Sequence, residues 1–376
     1  MKFNCTKPIA ILLVVLLSAC GNQKISNSQL TSTSHPTSPK KNKPKNIILM
    51  IGDGMGITQI TAGLFENNNR LELERCPVTG LHKPYAANNL ITDSAAGATA
   101  FASGVKTNNG YLGLDANGNK KESILVYAES KQMSTGIVVT STIVHATPAA
   151  FFAYHTDRDA YESIAKDLLK TDIDFIVGGG KKYFSRRSTD SLDLIKDFLE
   201  RDYFVTDYFE QDYSSWSLPE AKKLLYFSAD GDPLPVSSGR NYLPKATSDA
   251  IRFLEKKSTN GFFLMVEGSQ IDWGGHANDS KYIISEMLDF NEAIGRALDF
   301  AEKDQNTLVI ITADHETGGY SITSGEKFGK LQTSFASVKH TADLIPVFAM
   351  GPGAEAFSGI YENTEIYHKM KKLMRD

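Results

Sequence analysis

Cysteine is nearly missing from this chain, with three in 376 residues, and no charge of one sign prevails. Lys and Arg number 40 against 44 Asp and Glu, a net charge of −4. That balance argues against a dedicated nucleic-acid surface, so no nucleic-acid partner is expected. Long hydrophobic runs are lacking too: the N-terminal one, Ile9–Leu17, is too short to span a bilayer comfortably. No internal repeat is found. What is present, 41% hydrophobic and 22% charged residues, is ordinary for a globular protein and sufficient for a sizeable core. A chain of this length accommodates one large domain of alternating strands and helices.

The start of the chain does not read as part of that domain. Lys2 and Lys7 make it positive, the apolar run follows, and Leu17-Ser18-Ala19-Cys20 closes it. This box resembles the cleavage site of bacterial lipoproteins. It implies a leader over residues 1–20, cleavage before Cys20 and a lipid on its thiol; a plain signal peptide with an incidental cysteine is the alternative. The expected location is the periplasm or cell surface, with a membrane partner through the lipid anchor. Cys5 then leaves with the leader and Cys20 is lipidated. Cys76 is left alone as a buried or partly buried bystander, and the mature body has no disulfide. Residues 21–45 are Ser, Thr, Asn, Pro and Lys with almost no large apolar side chain, and read as a disordered tether.

The folded body, 46–376, opens with the apolar run Asn46–Ile51, and Thr135–Val144, Gly261–Val266 and Thr307–Thr312 have the same character. Near-continuous apolar runs predict strands buried on both faces, hence a mostly parallel central sheet flanked by helices, an α/β fold. Helical periodicity lies between them, in Tyr161–Lys170, Ala246–Lys257 and Ile283–Lys303. The stretch from Lys181 to Arg240, rich in Tyr, Asp and Ser, is expected to be a small inserted region of short elements and loops decorating the sheet. Each strand-like run is followed by polar residues: Asp53; His145 and Thr147; Glu267; Asp314 and His315. In open parallel sheets ligands bind beyond the carboxyl ends of the strands, so these residues are expected to meet along one edge.

Singly they are ordinary. Asp53 suits a helix cap. Asp272 and His276, four apart, share a helix face in a solvated pair as readily as in a metal site. His315 or His340 alone fits a hydrogen-bonded structural role. As a set, the carboxylates and histidines are costly to bury together without cations. Mixed histidine and carboxylate ligation suits zinc, and an all-oxygen shell suits magnesium. Ser94 opens a stretch of small helix-forming residues, Ala95 to Ala100, so it is placed at a helix N-terminus, where an anion is favoured. Ser94 as a simple N-cap fits that local sequence equally well.

Six stretches resemble the alkaline phosphatase family, in that family's order. They are Gly52-Asp53-Gly54-Met55-Gly56, Asp93-Ser94-Ala95-Ala96, Ala146-Thr147-Pro148-Ala149, Glu267 to Asp272 with His276, Thr312-Ala313-Asp314-His315-Glu316, and His340-Thr341. The resemblance implies an alkaline-phosphatase-like fold and hydrolysis of small phosphate monoesters, releasing inorganic phosphate by way of a phosphoserine on Ser94. It implies one zinc on Asp272, His276 and His340, and a second on Asp53, Asp314 and His315. A third cation, magnesium, falls to Asp53, Thr147 and Glu267, and Arg158 grips phosphate oxygens. His145 stands beside the third cation where the best-known bacterial form has Asp, which opens that site to zinc as well. Trp273 follows Asp272 where that form has Lys. The interval from His315 to His340 is short where larger members carry an insertion that helps build a dimer, so a homodimer stays open. A phosphodiesterase of the same superfamily, or a lipoprotein that binds metal or phosphate without turnover, are the competing readings.

Overall fold

Apolar runs that bury both faces must lie inside a sheet, and the four read from sequence form its centre. The computed structural model describes residues 43–374. The expected leader with Cys20, and the tether as far as residue 42, lie outside the described residues. Lys45, assigned to the tether, donates its backbone N–H to Asn306 O at 2.7 Å and so joins the folded body.

The strands are β1 (Asn46–Gly52), β2 (Val78–Lys83), β3 (Ser134–Thr142), β4 (Phe175–Gly179), β5 (Tyr203–Asp207), β6 (Lys223–Phe227), β7 (Phe262–Gly268) and β8 (Thr307–Thr312). Then come β9 (Glu316–Thr317), β10 (Tyr320–Gly325), β11 (Leu331–Phe335), β12 (His340–Thr341), β13 (Ile345–Met350) and β14 (Gly359–Glu362). Ten of them make one sheet in the order β14-β2-β13-β8-β1-β7-β3-β4-β6-β5. Its pairings are parallel except those of β13 with β2 and with β8. The fold is α/β, as expected.

Alternation along the central strands explains the runs. Ile47, Leu49 and Ile51 of β1 enter a core on one face with the helices Ser94–Ser103, Ile124–Ser130 and Thr364–Met374. Ile48 and Met50 enter the other, against Leu243–Lys257 and Ser280–Asp304. Both pleat faces therefore demand apolar side chains, and no polar alternation survives. The helix starts are marked by side chains: Asp279 accepts from the Lys281 and Tyr282 N–H groups, and Pro244 sits in the first turn of its helix. Cys76 is buried and free, and burial pushes its thiol up to about 12. Among the described residues no helix is long and apolar enough to cross a membrane.

The stretch from 181 to 240 departs from expectation. It does more than decorate: β5 and β6 extend the sheet itself, parallel to β4. As the outermost strand, β5 covers fewer of its residues, and Phe204 is exposed. Its sequence thus lacks the unbroken apolar run that marks central strands.

Candidate active site

The strands carrying the expected residues, β8, β1, β7 and β3, are immediate neighbours in the sheet. Their carboxyl ends therefore bring Asp314 and His315, Asp53, Glu267, and His145 with Thr147 to one edge. Gly54, just past β1, adopts a φ of +73°, and a Cβ there would lie 2.6 Å from Asp272 Cα. Only glycine allows the β1 turn to close on the helix Gln270–His276 that carries Asp272 and His276.

Three groups of side chains form, each with ligand atoms within 4.8 Å of one another: Asp272, His276 and His340; Asp53, Asp272 and His315; Asp53, His145 and Glu267. In the first, His276 Nε2 lies 3.3 Å from Asp272 Oδ2, and His340 Nε2 is 3.2 Å from His276 Nε2. His276 Nδ1–H donates to Val338 O at 2.7 Å and His340 Nδ1–H to Thr92 O at 2.8 Å. Both Nε2 lone pairs are thereby turned inward. In the second, Asp272 joins Asp53 and His315 where Asp314 was expected. Asp314 lies alongside, its Oδ2 3.2 Å from His315 Nε2, and Asp53 Oδ1 is 3.5 Å from the same atom. The His315 Nδ1–H donates to Thr317 Oγ1 at 3.2 Å, and the Thr317 hydroxyl donates to Asp272. In the third, Thr147 Oγ1 is 3.5 Å from Asp53 Oδ2. His145, expected only beside this group, contributes an atom to it.

The electrostatics of this edge fit cations. Asp53 Oδ1, Glu267 Oε1, Asp314 Oδ2 and His145 Nδ1 are buried without a hydrogen-bond partner. Burial, then repulsion from Asp314, Asp272 and Glu267, raises the Asp53 carboxyl well above its usual range. Burial likewise lifts Glu267 to about 8 and Asp314 to about 7, and holds His145 down to about 3. Asp272 goes the other way: burial opposes it, but the His276 hydrogen bond and the nearby imidazoles keep its carboxyl low. Carboxylates this enclosed stay ionised together when positive charge joins them, and the donor set of oxygen and imidazole nitrogen suits divalent metals.

Ser94 is the first residue of its helix; the N-cap is Asp93, whose Oδ1 accepts from Ala96 N at 2.9 Å. Ser94 Oγ, freed from capping, lies 3.3 Å from His315 Nε2. Arg158 Nη1 donates to Asp93 Oδ2 at 3.1 Å, and Nη2 is 3.5 Å from His145 Nε2. Trp273 meets the His145 ring edge-on at 6.2 Å. Sequence reasoning named no role for Asp93, Thr317 or Glu316, although each sits inside or next to a motif. Their signal is their adjacency to Ser94 and His315; Arg158, Asp272 and Gln59, which they meet in the site, lie far away in the chain.

Fold and site together define an α/β protein whose buried carboxylates and imidazoles could hold divalent cations beside a serine at a helix start. The alkaline phosphatase family model matches residues 44–336, and the chain belongs to that family. It is 35% identical over 356 residues to alkaline phosphatase 3 of Bacillus subtilis, covering 90% of this chain and 76% of that one. With the alkaline phosphatase of Escherichia coli it shares 31% identity, covering 94% and 90%. The solved alkaline phosphatase of the Antarctic bacterium TAB5 is 42% identical with a TM-score of 0.84, covering 89% of this chain and 98% of that one. A histidine-to-aspartate mutant of that enzyme, described with Mg bound in the M3 site, matches at TM-score 0.83 and 41% identity, covering the same shares.

Proposed function

We propose that this phosphatase hydrolyses small phosphate monoesters through a phosphoserine on Ser94. The observation that carries this reading is Ser94 Oγ, 3.3 Å from His315 Nε2, at the start of a ten-residue helix where free N–H groups favour an anion. Asp272, His276 and His340 would hold one zinc, and Asp53, Asp314 and His315 a second. Asp53, Thr147 and Glu267 would hold magnesium, with His145 able to join them or to draw zinc instead; the Mg bound in the M3 site of the TAB5 mutant supports a third cation. Such cations supply positive charge for the attacking and leaving oxygens and acidify water and hydroxyls. The planar fork of Arg158 holds two phosphate oxygens. Asp93 keeps that fork beside the serine through its hydrogen bond. The Ser94 Oγ–P bond forms as the ester P–O bond breaks, and the alcohol leaves with a proton. Water then breaks the Ser94–phosphate bond, releasing inorganic phosphate.

The serine nucleophile with Arg158 supports monoesters over diesters, and a nucleophile is superfluous in a protein that only binds metal. Initial rates with a chromogenic phosphate monoester, phosphate diester and sulfate ester test this. The monoester should dominate; faster diester cleavage would overturn the assignment. We further propose that the chain is a lipoprotein anchored through Cys20 at the periplasmic face or cell surface. Labelled fatty acid recovered in the wild type and lost in Cys20→Ala tests that.

A further inference from the structure

The segment Val338–Thr341 governs two of the three side chains in the Asp272, His276 and His340 group. Val338 O orients the His276 ring, and His340 is itself a member. Yet Val338 is 57% exposed, and little apolar packing holds this stretch down. Apart from the His340 ring, stacked on His315 at 3.5 Å, its attachments are polar, and they include His340 Nδ1–H on Thr92 O at 2.8 Å. Gly318 N donates to Lys339 O at 3.0 Å, and β12 pairs with β9 so that His340 faces Thr317 and Thr341 faces Glu316. The Thr341 hydroxyl reaches Glu316 Oε2 at 2.5 Å, closer than Asp343 Oδ2 at 3.3 Å.

Glu316 is 3% exposed and its carboxylate is met by four donors, two on each oxygen. Gln59 Nε2 at 2.7 Å and Tyr320 N at 3.0 Å serve Oε1; Gly319 N at 3.1 Å and Thr341 Oγ1 serve Oε2. The other side of Glu316 is closed by Gly56, where a Cβ would fall 2.4 Å from Glu316 Cγ. This carboxylate is thus locked between the helix Ile57–Glu66, the Gly318–Tyr320 turn and the half-buried ligand-bearing residues His340 and Thr341.

We propose that Glu316, acting through Thr341, is a positioning residue that holds Val338–Thr341 in place and so sets the geometry and affinity of the cation site formed by Asp272, His276 and His340. The inference rests on the reading that this group holds a zinc ion. The residues read as ligands of the other cations stand at the carboxyl ends of β1, β3, β7 and β8. Of these, His315 adjoins the bracket through Thr317 and its stacking on His340 at 3.5 Å, whereas Asp53, Thr147 and Glu267 stand apart from it.

The test is release of zinc from the loaded, full-length protein into a chromogenic chelator, followed per chain, with thermal melting in parallel. Thr341→Val removes the hydroxyl; Thr341→Ser keeps it. The valine variant should give up one zinc per chain about 10-fold or more faster than wild type, the usual penalty for losing a group that orients a metal ligand. The cation read at Asp53, Thr147 and Glu267 should leave as in wild type, and the serine variant should behave as wild type throughout. Glu316→Gln should loosen the same zinc. Release unchanged in Thr341→Val, or all cations loosened together with a lowered melting temperature, would overturn the proposal. Asp272→Asn is the separate control: if it keeps that zinc, the cation reading itself has failed, whatever Thr341 does.

Discussion

Arg158 and Asp93 are joined by a 3.1 Å ion pair, and Asp93 is the residue immediately before Ser94. One Asp93 oxygen caps the serine's helix through Ala96 N, while the other accepts from Arg158 and from Gly110 N. The serine and the guanidinium are therefore placed by one side chain. Arg158→Ala should raise KM and the phosphate inhibition constant about 10-fold or more while metal content stays unchanged. Kinetics alongside metal analysis decide this; loss of metal would make Arg158 a partner of the buried carboxylates instead.

Ser94→Ala should lower kcat by about a thousandfold or more, because the hydroxyl beside His315 is removed and that of Thr92 is committed to Asp93 O. The fold should survive, since among the described residues Ser94 Oγ has a hydrogen bond only to His315. Quenching with labelled substrate at acidic pH should trap phosphate on residue 94 of the wild type and none on the variant. Label on another residue would sink the assignment.

Chelation should abolish activity and also lower the melting temperature, by about 5–10 °C for loss of tightly held ions. The cause is the set of buried carboxylate oxygens left without partners on Asp53, Glu267 and Asp314. Calorimetry before and after adding back zinc and magnesium checks both effects; full activity after chelation would refute the metal site.

His145→Asp should tighten magnesium, by adding a negative oxygen donor to Asp53 and Glu267, and reduce dependence of activity on the added ion. Trp273→Lys should independently tighten inorganic phosphate, and salt should weaken that gain if the lysine is exposed. Magnesium titrations and phosphate inhibition constants are the measurements. An unaltered magnesium dependence in His145→Asp would separate this residue from the third cation.

Away from the site, Glu129 lies beside Asp172 and Asp174, and burial with those neighbours lifts its carboxyl to about 7. Its folded value exceeds the ordinary 4.5, so the unfolded chain loses this proton first as pH rises. The stability it contributes is complete below pH 4.5 and is lost as pH climbs through 7. Discounted for partial exposure, the loss is about 1–2 kcal/mol. Glu129→Gln should therefore be more stable than wild type at pH 8.5 and nearly equal to it at pH 4.5, as denaturant midpoints will show.

The sequence by itself determined the class of fold and named many of the side chains that the structure gathers at one edge of the sheet. Asn46–Ile51, Thr135–Val144, Gly261–Val266 and Thr307–Thr312 could be read because strands covered on both faces leave an unmistakable apolar signature. Asp272 and His276 could be paired because a helix returns to the same face after four residues. Tertiary structure alone decided that these strands are neighbours and that β5 and β6 complete the sheet. It alone made Asp93 the cap that leaves Ser94 free, and bound Glu316 to Gln59 and Thr341. Ser94 and His315 stand 221 residues apart in the chain, Gln59 and Glu316 257. Local pattern carries the burial of a strand or the turn of a helix; it carries no record of which distant hydrogen-bonding partner satisfies a buried polar group. That choice arises only when the sheet closes and each enclosed donor and acceptor must be matched.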